Sequence, residues 1–296
     1  MNKYLKSELR TKIPEYVYFI LTEKCPLNCP QCYNSSNGSK DMSFEIFIEN
    51  YNQARDIGTK KIVLIGGEVL YYKDIIKVLE YINGGSLYCT FATSGYGIEK
   101  VLDLLKKTNN IYPIISINAS ERKINELTRD GYNYSIRALE LLKKYNIPYS
   151  VNWVAHHSNV DDFSNLLKMV FEYNAENVVI LQAKYGCNSE IFDNLTMEDV
   201  NKLRKTILDC PYKDKIMVDR CSNFFRQELL GQKIPTVGTG CCAGEFVIAV
   251  NVDGKYQPCQ HMSIISESTT LKDAWQVSEI FNEFRKNKRG CIADIV

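Results

Sequence analysis

The sequence predicts an α/β fold, a partial (β/α)6 barrel of the TIM type carrying a small C-terminal module, and three observations lead to it. Six short runs rich in β-branched and aromatic residues recur at a spacing of roughly thirty residues, the rhythm of βαβ units. Helix-period amphipathic segments fill the gaps between them. After about residue 210 that rhythm gives way to one hairpin signal and a short helical stretch. The division that follows is a barrel over 1–210 and a small cysteine-bearing module over 211–296.

The strand runs are YVYFIL (16–21), KIVLI (61–65), LYCTFA (87–92), IYPIISI (111–117), YSVNWVA (149–155) and NVVILQ (177–182). Between them lie FEIFIENYNQARDIG, IIKVLEYING, YSIRALELLKKYN and FSNLLKMVFEYN. Several close on turn signals, among them Asp56-Ile57-Gly58 and Tyr145-Asn146-Ile147-Pro148. Six units are too few for a closed eight-stranded barrel and suit an open one, with functional side chains gathered at the C-terminal ends of the strands. Further on, EFVIAVNVDGKYQPC reads as a β-hairpin turning at Asp253-Gly254, and LKDAWQVSEIFNEFRKN as one amphipathic helix.

Composition narrows the function. With 45% hydrophobic residues over 296, the chain can bury a full core. A formal net charge of +1, without a long like-charge run, gives no electrostatic reason for a nucleic-acid or membrane-surface partner. The first twenty residues contain no apolar signal core, and no stretch approaches the length of a membrane span, so a cytoplasmic protein is expected. Eleven cysteines are many for such a protein, and in a reducing compartment they point to metal or redox chemistry before disulfides.

Cys25, Cys29 and Cys32 form C-x3-C-x2-C immediately after the first strand run. Three thiolates this close, with no fourth cysteine nearby, can hold three irons of a cubane and leave the fourth iron open to another ligand. The same spacing also suits a zinc site. Gly66-Gly67-Glu68 follows the second strand, Thr93-Ser94-Gly95 the third, and Ser116 and Asn118 lie at the end of the fourth. Glycines there permit close backbone approach, and a carboxylate can accept from an ammonium.

In this order, at successive strand ends, these residues resemble the radical S-adenosylmethionine (SAM) superfamily over about residues 15 to 210. The resemblance implies that the triplet holds a [4Fe–4S] cluster whose open iron binds SAM, which is cleaved to a 5′-deoxyadenosyl radical. It implies further that Gly66, Gly67 and Glu68 meet the methionyl ammonium, with Thr93 and Ser94 forming the usual neighbouring turn. Ser116 and Asn118 are implied at the ribose, Arg129 at the SAM carboxylate and Tyr33 beside the adenine. Three residues depart from the family pattern: Gln31 before the third cysteine, Asn118 in place of Asp, and Val69 after the Gly-Gly-Glu.

The run GCCAGEFVIAVNVDGKYQPCQHM resembles the opening of a SPASM domain, the auxiliary-cluster module of many peptide-modifying radical SAM enzymes. That resemblance implies a second [4Fe–4S] cluster in a truncated or twitch-like module, with ligands Cys241, Cys259 and Cys291 and Cys221 as a candidate fourth. Cys242, beside a presumed ligand, is a candidate hydrogen-atom donor as in radical SAM peptide epimerases; the other readings are a buried small hydrophobe or an alternative ligand. Cys89 reads as core, Cys187 and Cys210 as either, and His156, His157 and His261 as polar wall residues. The function expected is hydrogen abstraction from a ribosomally made precursor peptide, by epimerisation at Cα or by crosslinking. Expected partners are a flavodoxin- or ferredoxin-like reductase and, since the barrel begins near residue 15, either a separate leader-recognition protein or direct binding of the peptide in a groove. Oxidation of a small molecule, with the auxiliary cluster as electron acceptor, and a non-catalytic iron–sulfur carrier or regulator are the alternatives.

Overall fold

The computed structural model describes residues 12–34, 38–184, 195–219, 221, 229 and 241–286. Its six leading strands coincide with the six sequence runs to within about a residue at each end. They are β1 (Tyr16–Thr22), β2 (Lys61–Gly66), β3 (Tyr88–Thr93), β4 (Ile111–Ser116), β5 (Ser150–Ala155) and β6 (Asn177–Gln182). Each pairs in parallel with the next. Three further strands join the same sheet: β7 (Ile216–Val218), β8 (Val247–Val250) and β9 (Tyr256–Gln257). The order is β7-β6-β5-β4-β3-β2-β1-β8-β9, an open curved sheet and not a closed ring.

Alternation along β1 fixes which face is which. Val17, Phe19 and Leu21 are fully buried under the helical layer, where Phe19 meets Phe47 of helix Phe44–Asp56 edge-on at 5.2 Å. Tyr16 and Tyr18 face the other way, onto a second cluster made by Cys242, Ala243, Phe246, Val247 and Cys259. The outer helices Ile75–Ile82, Tyr132–Lys144 and Phe163–Glu172 match the predicted amphipathic segments. Two of the predicted turns adopt left-handed backbone, Gly58 at φ 92° and Asn146 at φ 52°.

The C-terminal region differs from the sequence reading in three respects. β7 is too short, at three residues, to show a period, yet it extends the parallel sheet beyond β6. The hairpin exists, with Gly254 at φ 77°, but five residues separate β8 from β9, and the Asn251 side chain accepts from the Asp253 and Lys255 N–H groups to close the loop. The single predicted helix is two, Leu271–Gln276 and Glu279–Lys286. The N–H groups of Val277 and Ser278 both turn back to the Asp273 carbonyl, which ends the first helix, and Asn282 N–H then bonds to the Ser278 carbonyl to begin the second. Because β8 pairs in parallel with β1, and Trp275 and Phe281 are fully buried in the barrel's own core, residues 241–286 are packed into the barrel sheet.

Candidate active site at the strand ends

The cysteine loop is closed at its root by backbone pairing: Glu23 N–H donates to the Lys40 carbonyl and Met42 N–H to that of Leu21. Asp41 locks this root, accepting from Thr22 Oγ1 at 2.6 Å and from Lys24 Nζ at 2.8 Å. Within the loop, Cys32 N–H donates to the Cys29 carbonyl. Burial first, and then the nearby Glu68, Cys29 and Cys32, hold the Cys25 thiol up at about 11 although a backbone group at Leu27 pulls the other way. A thiolate at Cys25 therefore calls for a cationic centre beside it. Among the described residues, no three His, Cys, Asp or Glu side chains converge as they would around a single metal ion. Cubane ligands need not converge, because each binds a different iron.

The Gly-Gly-Glu segment packs against that root. Gly67 N–H donates to the Thr22 carbonyl and Glu68 N–H to the Lys24 carbonyl. A Cβ at Gly66 would fall on the Thr22 carbonyl and one at Gly67 on that of Lys24, so the glycines serve the approach of two backbone segments. Glu68 is only 3% exposed. One of its oxygens accepts from Leu70 N–H at 3.1 Å and Thr93 Oγ1 at 2.6 Å, the other from Ser94 N–H at 2.8 Å and Ser94 Oγ at 2.6 Å. Thr93 and Ser94 thus orient the carboxylate. Gly95, at φ 91°, lies where a Cβ would meet the Tyr134 carbonyl.

Hydrogen bonds tie the end of β4 to the neighbouring segments. Ser116 is buried, and its carbonyl accepts from Ser135 Oγ. Asn118 is wholly buried, with one amide hydrogen to Gln31 Oε1 at 2.6 Å, the other to Thr128 Oγ1 at 2.8 Å, and its oxygen accepting from Val154 N–H. Both of its hydrogens are engaged inside the protein. Arg129 follows Thr128, and its Nε is buried without a hydrogen-bond acceptor in the protein, as expected of a guanidinium kept for an anionic ligand.

Tyr33 lies edge-on to His261, ring centres 4.2 Å apart, on the wall of a cavity of about 300 Å3. Ile20 and Gly66 line it from the barrel and Gln257 and Met262 from the C-terminal segment. Tyr33 is 36% exposed, yet burial of its hydroxyl end raises its pKa, with Cys32 and Cys259 adding to the rise. The residue therefore stands between the two cysteine groups. Burial, and then Lys184, push His261 down to about 4.

In the second group Cys242 and Cys259 are buried, and Cys221 and Cys241 pack against them. The Cys221 side chain hydrogen-bonds to Cys242, and that contact, ahead of burial and Asp219, raises the Cys221 thiol. Cys291 and Cys187 lie outside the described residues. Cys89 is fully buried core, its thiol raised by desolvation, and Cys210 caps helix Met197–Asp209. His156 is 1% exposed against Gln31, and His157 pairs with Asp199 at 2.9 Å. Sequence reasoning overlooked Asp41 and Thr128 and treated Gln31 only as a departure; their partners lie far along the chain, so no local spacing signals them.

Residues 19–170, more than half of the chain, match the family model of the radical SAM superfamily. The chain belongs to the radical SAM superfamily. Among solved structures, Streptococcus suis SuiB bound to the precursor peptide SuiA superposes with a TM-score of 0.80 at 15% identity, covering 95% of this chain and 69% of that one. The enzyme anSMEcpe with bound AdoMet and Kp18Cys peptide gives 0.69 at 18% identity, over 92% and 82%. Methylornithine synthase (PylB) gives 0.54 at 12%, over 78% and 76%. At such identities these likenesses are of fold. Membership of the radical SAM superfamily implies a [4Fe–4S] cluster and SAM. The residues present fit both: three thiols on one loop without a fourth beside them, an oriented carboxylate, and a buried guanidinium N–H with no protein acceptor. No helix among the described residues is long and apolar enough to cross a membrane.

Proposed function

We propose that this radical SAM protein modifies a ribosomally made peptide by hydrogen abstraction, with epimerisation at Cα as the reaction and Cys242 as the hydrogen-atom donor. Cys25, Cys29 and Cys32 would hold the cluster, which with SAM would supply a 5′-deoxyadenosyl radical able to take an unactivated hydrogen from a substrate carbon. Glu68, oriented by Thr93 and Ser94, would set its negative charge toward the methionyl ammonium, while Arg129 Nε would donate to its carboxylate. Tyr33 borders the adenine, with Ser116 at the ribose. The Asn118 amide is taken up within the protein, and its part is to hold the neighbouring loop.

Placement of Cys242 carries the choice of reaction. It is a buried thiol beside Cys259, in the cluster that also packs against Tyr18. A thiol held beside the substrate space could return a hydrogen atom to a substrate carbon radical. Cys241, Cys259 and Cys291, with Cys221 as fourth ligand, would hold the second [4Fe–4S] cluster in a SPASM- or twitch-like module over 211–296. That SuiB and anSMEcpe were each crystallised with a peptide supports the substrate class. A cytoplasmic setting with a flavodoxin- or ferredoxin-like reductase and a separate leader-recognition protein completes the reading.

Turnover in deuterated water tests it. Deuterium should appear at one peptide Cα, and Cys242→Ala should stop product while 5′-deoxyadenosine still forms. Product without solvent deuterium would favour crosslinking. The Cys25/Cys29/Cys32 triple alanine variant should retain roughly half the iron, as expected for two cubanes; an iron-free variant would refute the second cluster.

A further inference from the structure

Gln31 precedes the third cysteine of the triplet, and its side chain crosses from the cysteine loop to the barrel. Its Oε1 lies 2.6 Å from Asn118 Nδ2 and 2.7 Å from His156 Nε2. The network orients every member. Asn118 must direct its nitrogen at Gln31 and Thr128, because its oxygen faces the Val154 N–H. Gln31 therefore presents its oxygen, and His156 presents Nε2–H to it. One acceptor thus serves two donors whose residues are 0% and 1% exposed.

The same loop is held along its length by the segment before and after Arg129. Gln31 N–H donates to the Thr128 carbonyl at 3.0 Å, and Asn28 N–H to Asp130 Oδ2 at 3.2 Å. Leu27 lies against Gly131, where a Cβ would crowd it. Residues 27–31 and 128–131 therefore form one docked unit, and Arg129 is in the middle of it.

We propose that Gln31 is a positioning residue for SAM: by accepting from Asn118 and His156 it fixes the cysteine loop against the Thr128–Arg129 segment, so that the cluster and Arg129 grip SAM in register. The inference rests on the proposal that SAM binds between these residues. Removal of the acceptor takes one buried bond from Asn118 and one from His156 and cuts the side-chain tie between the loop and the ends of β4 and β5, without touching any cysteine.

The test uses the anaerobically reconstituted full-length protein, with iron content, equilibrium dialysis of labelled SAM, and EPR of the dithionite-reduced cluster with and without SAM. Gln31→Leu should carry wild-type iron but bind SAM about tenfold more weakly, the change expected for one buried hydrogen bond. Its SAM-dependent shift in g values should shrink. Gln31→Glu, which keeps an acceptor for both donors, should restore binding to within about twofold. Wild-type SAM affinity and EPR response in Gln31→Leu would overturn the inference. So would equal impairment of the Glu and Leu variants, or iron loss in step with the loss of SAM binding. A wild-type protein that carries its cluster and ignores SAM would instead overturn the proposed function beneath it.

Discussion

Glu68→Gln probes the site through its most heavily bonded side chain. Each carboxylate oxygen accepts from one backbone N–H and one hydroxyl: Leu70 N–H with Thr93 Oγ1, and Ser94 N–H with Ser94 Oγ. The hydroxyls can rotate to accept from an amide NH2, but the backbone N–H groups cannot turn away. Either orientation of glutamine therefore sets its NH2 against a buried N–H. The lost bond is charge-assisted, and such bonds contribute about 1.5–3 kcal/mol. At about 2–4 °C per kcal/mol for large domains, thermal unfolding should fall by about 3–12 °C. Differential scanning calorimetry on the cluster-free protein isolates this structural effect from any loss of cofactor. A fall smaller than about 2 °C would mean that the Glu68 network does not hold the strand ends together.

Two further perturbations concern the root of the cysteine loop. Gly67→Ala places a methyl group on the Lys24 carbonyl, with Glu23 backbone close behind. The cost should be about 1–3 kcal/mol, read as a lower denaturant midpoint with an unchanged slope. Asp41 is pushed up by burial but more strongly held down by its bonds from Lys24 and Thr22, so its folded pKa lies below the ordinary 3.8. Its stabilisation is therefore present above about pH 4 and lost as pH falls through the lowered folded value. Asp41→Asn should show a shallower acid dependence of stability below pH 4 than wild type, and parallel acid-unfolding curves would contradict that assignment.

The six barrel strands were legible because each alternates or runs apolar over six or seven residues and is flanked by amphipathic helix. Three-residue β7 has no room for a period, and its place is set by pairing with Val178–Ile180. The two C-terminal helices share one helical pattern in sequence, and only the capture of two N–H groups by the Asp273 carbonyl separates them. At the site, local spacing revealed the triplet and Gly66-Gly67-Glu68. It could not reveal that Asn118 reaches Gln31 across 87 residues, or that His156 meets the same oxygen across 125. Both connections arise from parallel strands ending side by side, which bring together residues that are distant in sequence.

Reductive cleavage of SAM tests the central claim most directly. Anaerobically reconstituted protein with dithionite and SAM should form 5′-deoxyadenosine, and Cys25→Ala, Cys29→Ala or Cys32→Ala should each abolish it. Fully iron- and sulfide-loaded wild type that forms no 5′-deoxyadenosine would contradict the assignment of the triplet as the cluster that initiates the chemistry.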